Sequence, residues 1–175
     1  MKKYELTKET IHIGETTIHR IRALKTFGNI KKGDLGGFIE KERNLSHFGD
    51  SWIFNEASVF GNAIILSNAQ IGDNARIFGN AKVLERAKVF GAVKIYGNTI
   101  IYGNADLDGS FEVCDNVRIY GKINVSGFAY IYGNADIRGS VEIDGSAKIG
   151  GYTKLRGEII LGGINELNFD KEKEK

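Results

Sequence analysis

The sequence predicts an all-β protein whose chain winds into a stack of three-sided coils. From Ser51 onward a small residue recurs at almost every sixth position, and an aliphatic residue follows two positions later at all nineteen such places. Two positions further on, Gly stands at fourteen of the nineteen places, often followed by Asn. The 175 residues include no Pro. This absence suits strands that must donate backbone N–H groups to neighbours on both sides.

Each six-residue unit predicts one short side of a coil. Two inward residues at positions i and i+2 make a two-pleat strand, because side chains alternate across a strand. The Gly-Asn that follows can adopt positive φ, so the chain turns a corner there. Three sides make an 18-residue coil, and residues 51–164 then form about six coils, roughly 30 Å long at the usual strand spacing. A two-sided coil of 12 residues is the alternative winding, and the bulkier residues Phe111, Ile123 and Ile159 do not decide between the two.

The unit resembles the hexapeptide repeat of left-handed parallel β-helices, and the resemblance covers about two-thirds of the chain. It implies a hexapeptide-repeat solenoid. Open solenoid ends need caps. Residues 1–50 are the predicted N-terminal cap: the alternation around Gly14 predicts a β-hairpin, and residues 32–40 predict turns and a short apolar strand. Residues 165–175 are predicted to be a charged, frayed tail.

Composition excludes several classes of protein. With 24 Lys+Arg against 22 Asp+Glu, a net charge of +2 gives no argument for nucleic acid. The single cysteine, Cys114, excludes a disulfide framework and fits a reducing compartment. The first ten residues show no secretory signal, and no apolar run approaches the length of a membrane span. We therefore expect a soluble, cytoplasmic protein.

Catalytic residues are scarce in the coil. Many hexapeptide-repeat proteins are acyltransferases, which resemble one another in using a base, usually His, in a cleft between subunits. Residues 51–164 contain no His and no inserted loop. His12 and His19 could face each other across the hairpin, but two His without a third ligand make a weak metal site. Cys114 is predicted to be an inert residue of the coil surface. We expect no cofactor, no metal and no catalysis.

One further motif in the cap favours turns over phosphate binding. Gly33-Asp34-Leu35-Gly36-Gly37 lacks the Gly-Lys-Ser/Thr ending of a phosphate loop.

Outward positions carry the functional prediction. Grouping residues by 18 produces two apolar ladders: Phe60, Phe78, Tyr96, Cys114 and Tyr132 on one face, and Leu66, Leu84, Tyr102, Tyr120, Arg138 and Arg156 on another. Such ladders are larger than a soluble monomer normally exposes and predict a homotrimer with parallel axes. A ligand in the cleft between subunits would stack on tyrosines and be gripped by arginines. The candidate ligand-binding residues are Tyr96, Tyr102, Arg118, Tyr120, Tyr132, Arg138 and Arg156.

The cap carries a more specific resemblance. Tyr4-Glu5-Leu6-Thr7, Arg20–Leu24, Gly33–Glu42 and Asn44-Leu45-Ser46 look like a phage- and prophage-associated family of hexapeptide-repeat proteins, often labelled transferases or polymer-forming proteins. The resemblance implies a small protein acting in an infected bacterium, with no family catalytic residues to carry over. We expect a non-enzymatic antagonist of host defence that sequesters a nucleotide-type signal or occludes a defence protein. An acyltransferase and a structural, polymer-forming protein are the alternatives.

Overall fold

The computed structural model describes residues 2–169 and confirms an all-β, parallel β-helix closed at its N-terminal end by a β-hairpin cap. The cap consists of β1 (Tyr4–Ile13), β2 (Thr16–Ala23), β3 (Leu35–Ile39) and a short 3₁₀ helix, Glu42–Asn44. The coils contribute, in chain order, β4 (Trp52–Ile53), β5 (Ser58–Val59), β6 (Ile64–Ile65), β7 (Gln70–Ile71), β8 (Arg76–Ile77), β9 (Lys82–Val83), β10 (Lys88–Gly91), β11 (Lys94–Ile95), β12 (Ile100–Gly103), β13 (Asp106–Gly109), β14 (Glu112–Val113), β15 (Arg118–Gly127), β16 (Tyr130–Ile131), β17 (Asp136–Ile143), β18 (Lys148–Gly151), β19 (Lys154–Leu161) and β20 (Glu166–Phe169).

The winding has three sides and 18 residues per coil. Parallel pairing joins Arg76 to Lys94 and Lys94 to Glu112, and the same step of 18 recurs on the other two sides. We call the side that begins with β4 face 1, the side with β5 face 2 and the side with β6 face 3. This register excludes the 12-residue, two-sided alternative. About seven coils are stacked, one more than predicted.

Inward positions form one continuous core. The aliphatic ladder from Ile53 to Ile149 is fully buried, and the small residues between them, such as Ala75 and Ala81, are buried as well. Small side chains fit at these places because each begins a new side beside a corner. In the coils where Ile123, Val141 and Ile159 stand at these places, the strand continues from face 3 through the corner into face 1, as the long strands β15, β17 and β19.

Corner residues have the predicted positive φ. Even the non-Gly corners adopt it, at Asn55, Ser67, Asp73, Glu85 and Asp115. Glycine is required where stacked corners touch: a Cβ added to Gly121, whose φ is +106°, would lie 2.6 Å from the carbonyl oxygen of Gly139. Beside the corners, side-chain amides form a ladder in which each Asn donates to the next, through Asn62, Asn80, Asn98, Asn116 and Asn134.

The cap joins the coil through face 2. Strand β2 pairs antiparallel with β1 and with β3, and β3 pairs parallel with β5, which turns the hairpin into the first layer of the helix. Gly37 is needed for this close approach, because a Cβ there would lie 2.4 Å from the carbonyl oxygen of Ala57. The turn interpretation of Gly33–Gly37 fits, since Gly33 has a φ of +96° and strand β3 begins at Leu35.

Two predictions about the ends need correction. The frayed tail was predicted to begin at residue 165, which is too early. Strand β20 (Glu166–Phe169) pairs parallel with β18 and extends the coil beyond residue 164. Leu167 stands 18 residues after Ile149 and pairs with it, so the aliphatic ladder continues. Residues 170–175 lie outside the described residues. In the hairpin, His12 pairs with Thr17 and His19 pairs with Thr10, so the two histidines do not face each other directly.

Candidate functional site

The seven predicted ligand-binding residues fall on two faces. Face 3 carries Tyr102, Tyr120, Arg138 and Arg156 in successive coils, with Arg118 beside Tyr120 in the same strand. We call these five residues the Tyr–Arg stripe. Tyr96 and Tyr132 follow strands β11 and β16 on face 2, so the structure separates them from the other five.

Stacking fixes the tyrosines of the Tyr–Arg stripe. The rings of Tyr102 and Tyr120 have centroids 4.8 Å apart and are tilted by only 4°, a separation close to the spacing of stacked strands. Arg138 Nη1 donates to the Tyr120 hydroxyl at 3.0 Å, and its guanidinium carbon lies 6.0 Å from the Tyr120 ring centroid. The facing sides of the two rings therefore cover each other, and a flat ligand ring has no room between them.

Positive charge surrounds the upper part of the stripe. Asp136 pairs in register with Arg118 below it and Lys154 above it. Arg156 Nη2 lies 3.7 Å from Asp136 Oδ2, while Oδ1 of the same carboxylate is buried without a hydrogen-bond partner among the described residues. Two arginines and a lysine thus lie around one carboxylate, which leaves an excess of cationic N–H donors suited to an anion.

Burial raises the pKa of Tyr102, and the neighbouring Tyr120 raises it further. The Tyr102 hydroxyl therefore stays protonated at neutral pH and can donate a hydrogen bond.

The stripe changes character along the helix axis. Toward the cap, face 3 continues with Leu84 and Leu66, which are both half-buried. From the cap to the other end, the order on this face is therefore two leucines, two tyrosines and then the arginines. The apolar part is suited to protein contact and the cationic part to a charged ligand.

On face 2, a second ladder is interrupted by cysteine. Phe60, Phe78 and Tyr96 stack with centroid separations of 5.1 and 4.9 Å. Cys114 then lies buried, with its Sγ 3.6 Å from the Tyr130 hydroxyl, and burial raises the pKa of its thiol. A buried, protonated thiol is a poor nucleophile, which fits the prediction for Cys114.

Tyr132 packs in a different way from Tyr96. Its ring stacks on Tyr130 at 4.8 Å and lies over Gly150, where an added Cβ would be only 2.1 Å from Cζ. The Tyr96 hydroxyl instead donates to Glu112 Oε2 at 3.2 Å. Within residues 2–169 neither tyrosine has an arginine partner, so this part of face 2 lacks the combination found in the Tyr–Arg stripe.

The cap contains a polar cluster that the sequence did not single out as a group. Lys3 is fully buried and its ammonium donates to Ser51 O at 2.8 Å and Gly49 O at 3.2 Å. Tyr4 stacks on His47 at 4.4 Å, and its hydroxyl lies 2.8 Å from the carbonyl oxygen of Leu45. These contacts tie the first residues of the chain to the first coil.

Asn44 completes the cluster. Its amide donates to Ala63 O at 2.8 Å and its oxygen accepts from the Lys41 N–H at 2.9 Å. Tyr4 and Asn44 both lie in the cap segments that the sequence analysis singled out, so part of those segments has a structural role. The signal available in the sequence was the motif itself.

Lys3 gives stability a pH dependence. Burial lowers the pKa of Lys3 to about 8, below its ordinary value of 10.5. Between those two values the unfolded chain holds a proton that the folded chain has lost, so the free energy of unfolding should rise with pH across this window. We expect urea unfolding to show a larger rise between pH 8 and pH 10 for the native chain than for Lys3→Met, which has no ammonium. Equal changes in the two proteins would contradict this.

Two shallow grooves lie at the corner between faces 3 and 1. One of about 520 Å³ is lined by Lys122, Asn124, Ser140, Val141, Glu142, Glu158, Ile159 and Ile160. The other, of about 360 Å³, is lined by Ser67, Asn68, Glu85, Arg86, Gly103 and Asn104. Neither of these two grooves includes a residue of the Tyr–Arg stripe.

Residues 2–169 contain no group of three or more His, Cys, Asp and Glu placed to hold a metal ion. No helix in this part of the chain is long and apolar enough to cross a membrane.

The fold and surface define a capped, three-sided parallel β-helix with one aromatic and arginine-rich stripe. No protein-family model matches the chain, and a search of curated proteins gave no match.

Proposed function

We propose that the protein is a non-enzymatic binding protein of the phage type that antagonises bacterial host defence by sequestering a nucleotide-type anion on the Tyr–Arg stripe. The observation that carries the proposal is the stack of Tyr102, Tyr120 and Arg138, held between Arg118 and Arg156 on face 3. Guanidinium groups recognise phosphate through paired N–H donors. Tyrosine hydroxyls and ring edges supply the contacts that a base or ribose would need.

A homotrimer would complete the site. The Leu66 and Leu84 end of the face 3 ladder is half-buried in one subunit and offers an apolar surface for a neighbouring subunit. Packing there would place a neighbour beside Arg138 and Arg156, which turns an open surface into a cleft. Because the faces of Tyr102 and Tyr120 cover each other, a ligand base would rest against the ring edges or the neighbouring subunit rather than between the rings.

The test is a thermal-shift screen with nucleotides, cyclic dinucleotides and ADP-ribose derivatives, followed by calorimetry on any that stabilise the protein. Arg138→Ala and Tyr120→Ala should each weaken binding, and removing the guanidinium should cost about tenfold or more in affinity. Arg76→Ala is the matched control, since Arg76 is exposed on face 2. We expect it to leave affinity unchanged.

Equal losses in Arg76→Ala and Arg138→Ala would contradict a site on face 3. No shift with any compound would reject the nucleotide-type ligand and favour a host defence protein as the target. Release of free thiol from acetyl-CoA, abolished by a change at His12 or His47, would instead establish an acyltransferase.

A further inference from the structure

No residue up to 169, where the described part of the chain ends, covers the C-terminal end of the β-helix, whereas the cap closes the N-terminal end. At the N-terminal end Trp52 of the first coil is 1% exposed and Tyr4 of the cap is fully buried. In the last coil the inward side chains lose this protection: Leu155 is 8% exposed, and Ile159, Leu161 and Leu167 are only partly buried. An apolar layer that is inside every earlier coil therefore reaches the surface.

The backbone of the last coil is also open. Strand β19 pairs only with β17, and β20 pairs only with β18, among the residues that the structure describes. Toward the stack, the carbonyls of Thr153 and Leu161 accept from Asp136 and Asp144. Because the backbone groups of successive residues point to opposite sides of a strand, every second residue between Thr153 and Leu161 presents its N–H and C=O groups away from the stack. Such an edge is a template for another strand.

Exposed apolar side chains surround this edge. Ile160 is 79% exposed and Ile164 is 92% exposed. The next six residues of the sequence, 170–175, are all charged, so they offer no apolar side chain for the uncovered layer.

We propose that a second copy of the chain covers this end, with the two β19 strands paired antiparallel about a two-fold axis at Gly157. In that pairing, residues equally distant from Gly157 face each other. Arg156 of one copy then faces Glu158 of the other, twice, and Leu155 faces Ile159. The charges are complementary and the apolar layer is covered. The space above Gly157 is open to the second copy, since a Cβ added there would meet no atom within 4 Å, whereas a Cβ added to Gly139 would lie 2.6 Å from the carbonyl oxygen of Gly157.

This contact closes after two copies. A two-fold contact uses the same surface on both partners, so it makes a dimer and not a filament. The capped N-terminal end offers no equivalent surface. Association through the ends uses Arg156 and leaves the other four residues of the Tyr–Arg stripe free. It therefore doubles the mass of any side-by-side assembly that the chain forms, and it does not depend on the proposed ligand.

Two substitutions at Ile160 give opposite expectations. The proposed register places Ile160 opposite Lys154 of the second copy. Ile160→Lys should therefore weaken end-to-end association about tenfold or more and halve the particle mass in sedimentation velocity, whereas Ile160→Glu should keep the doubled mass. Both replace an exposed isoleucine by a long charged side chain, and matching far-UV circular dichroism spectra will show that both remain folded.

A charge exchange tests the register itself. Arg156→Glu and Glu158→Arg should each halve the particle mass, and the double variant should restore it. An undoubled mass for the native chain, with Ile160→Lys and Ile160→Glu indistinguishable, would overturn the dimer and leave residues 170–175 or another protein as the cover. A mass that grows continuously with concentration would overturn it in favour of filaments.

Discussion

Ile101→Asp is expected to unfold the β-helix. Ile101 is fully buried on face 3 and pairs in register with Val83 below and Ile119 above. An aspartate there has no cation within the core, so it must stay charged without a partner or take up a proton, and it also removes aliphatic packing. The expected loss exceeds about 4 kcal/mol, a large part of the typical stability of a domain.

Ile100→Asp is the matched control for this prediction. Ile100 is the adjacent residue of strand β12 but points outward, in register with Lys82 and Arg118. The same change therefore places a carboxylate between two cations, and stability should change by less than about 1 kcal/mol. Circular dichroism and urea unfolding of the two variants measure the difference. Similar stability of both would show that Ile101 does not face the core.

Trp52→Ala is expected to cause the second largest loss, about 3 to 5 kcal/mol, because it leaves a cavity between the cap and the first coil. The indole is 1% exposed and packs edge-on against Phe27 at 5.4 Å and Tyr4 at 6.3 Å. One substitution therefore removes contacts to two cap segments that are far apart in the chain. Limited proteolysis should then cleave the cap before the coils.

Phe48→Ala provides the comparison in the same region. Phe48 is also aromatic and lies close in sequence, but it is 86% exposed. Its removal should change the free energy of unfolding by less than about 0.5 kcal/mol. If both variants lost similar stability, the cap would not be held by the buried indole.

The proposed site and the proposed end-to-end contact predict separate failures. Arg138→Ala should lose ligand and keep the particle mass, while Ile160→Lys should lose half the mass and keep ligand affinity. This separation follows from their placement, because Arg138 lies on the outer surface of face 3 and Ile160 lies on face 1 of the last coil. Arg156 belongs to both surfaces, so it alone should affect both measurements.

The sequence determined the coil because its signals are local. Successive side chains in a short strand point alternately inward and outward, and the positive φ of a corner depends on a few neighbouring residues. Inward positions such as Ile101 and corners such as Asn55 were therefore predicted from the sequence. The hairpin around Gly14 was predicted for the same reason.

The contacts on the surface and at the ends could not be predicted from the sequence, because they depend on how the coils stack. The 18-residue register settles that Tyr120 lies on Tyr102 and beneath Arg138. On face 2 the Cys114 Sγ lies 3.6 Å from the Tyr130 hydroxyl, two residues before its register position, so the stack of rings is not continuous. Strand β20 and the cap cluster around Lys3 depend on partners 18 or more residues away. Such contacts depend on how whole coils stack and on the space that neighbouring side chains leave. A short stretch of sequence therefore does not predict them.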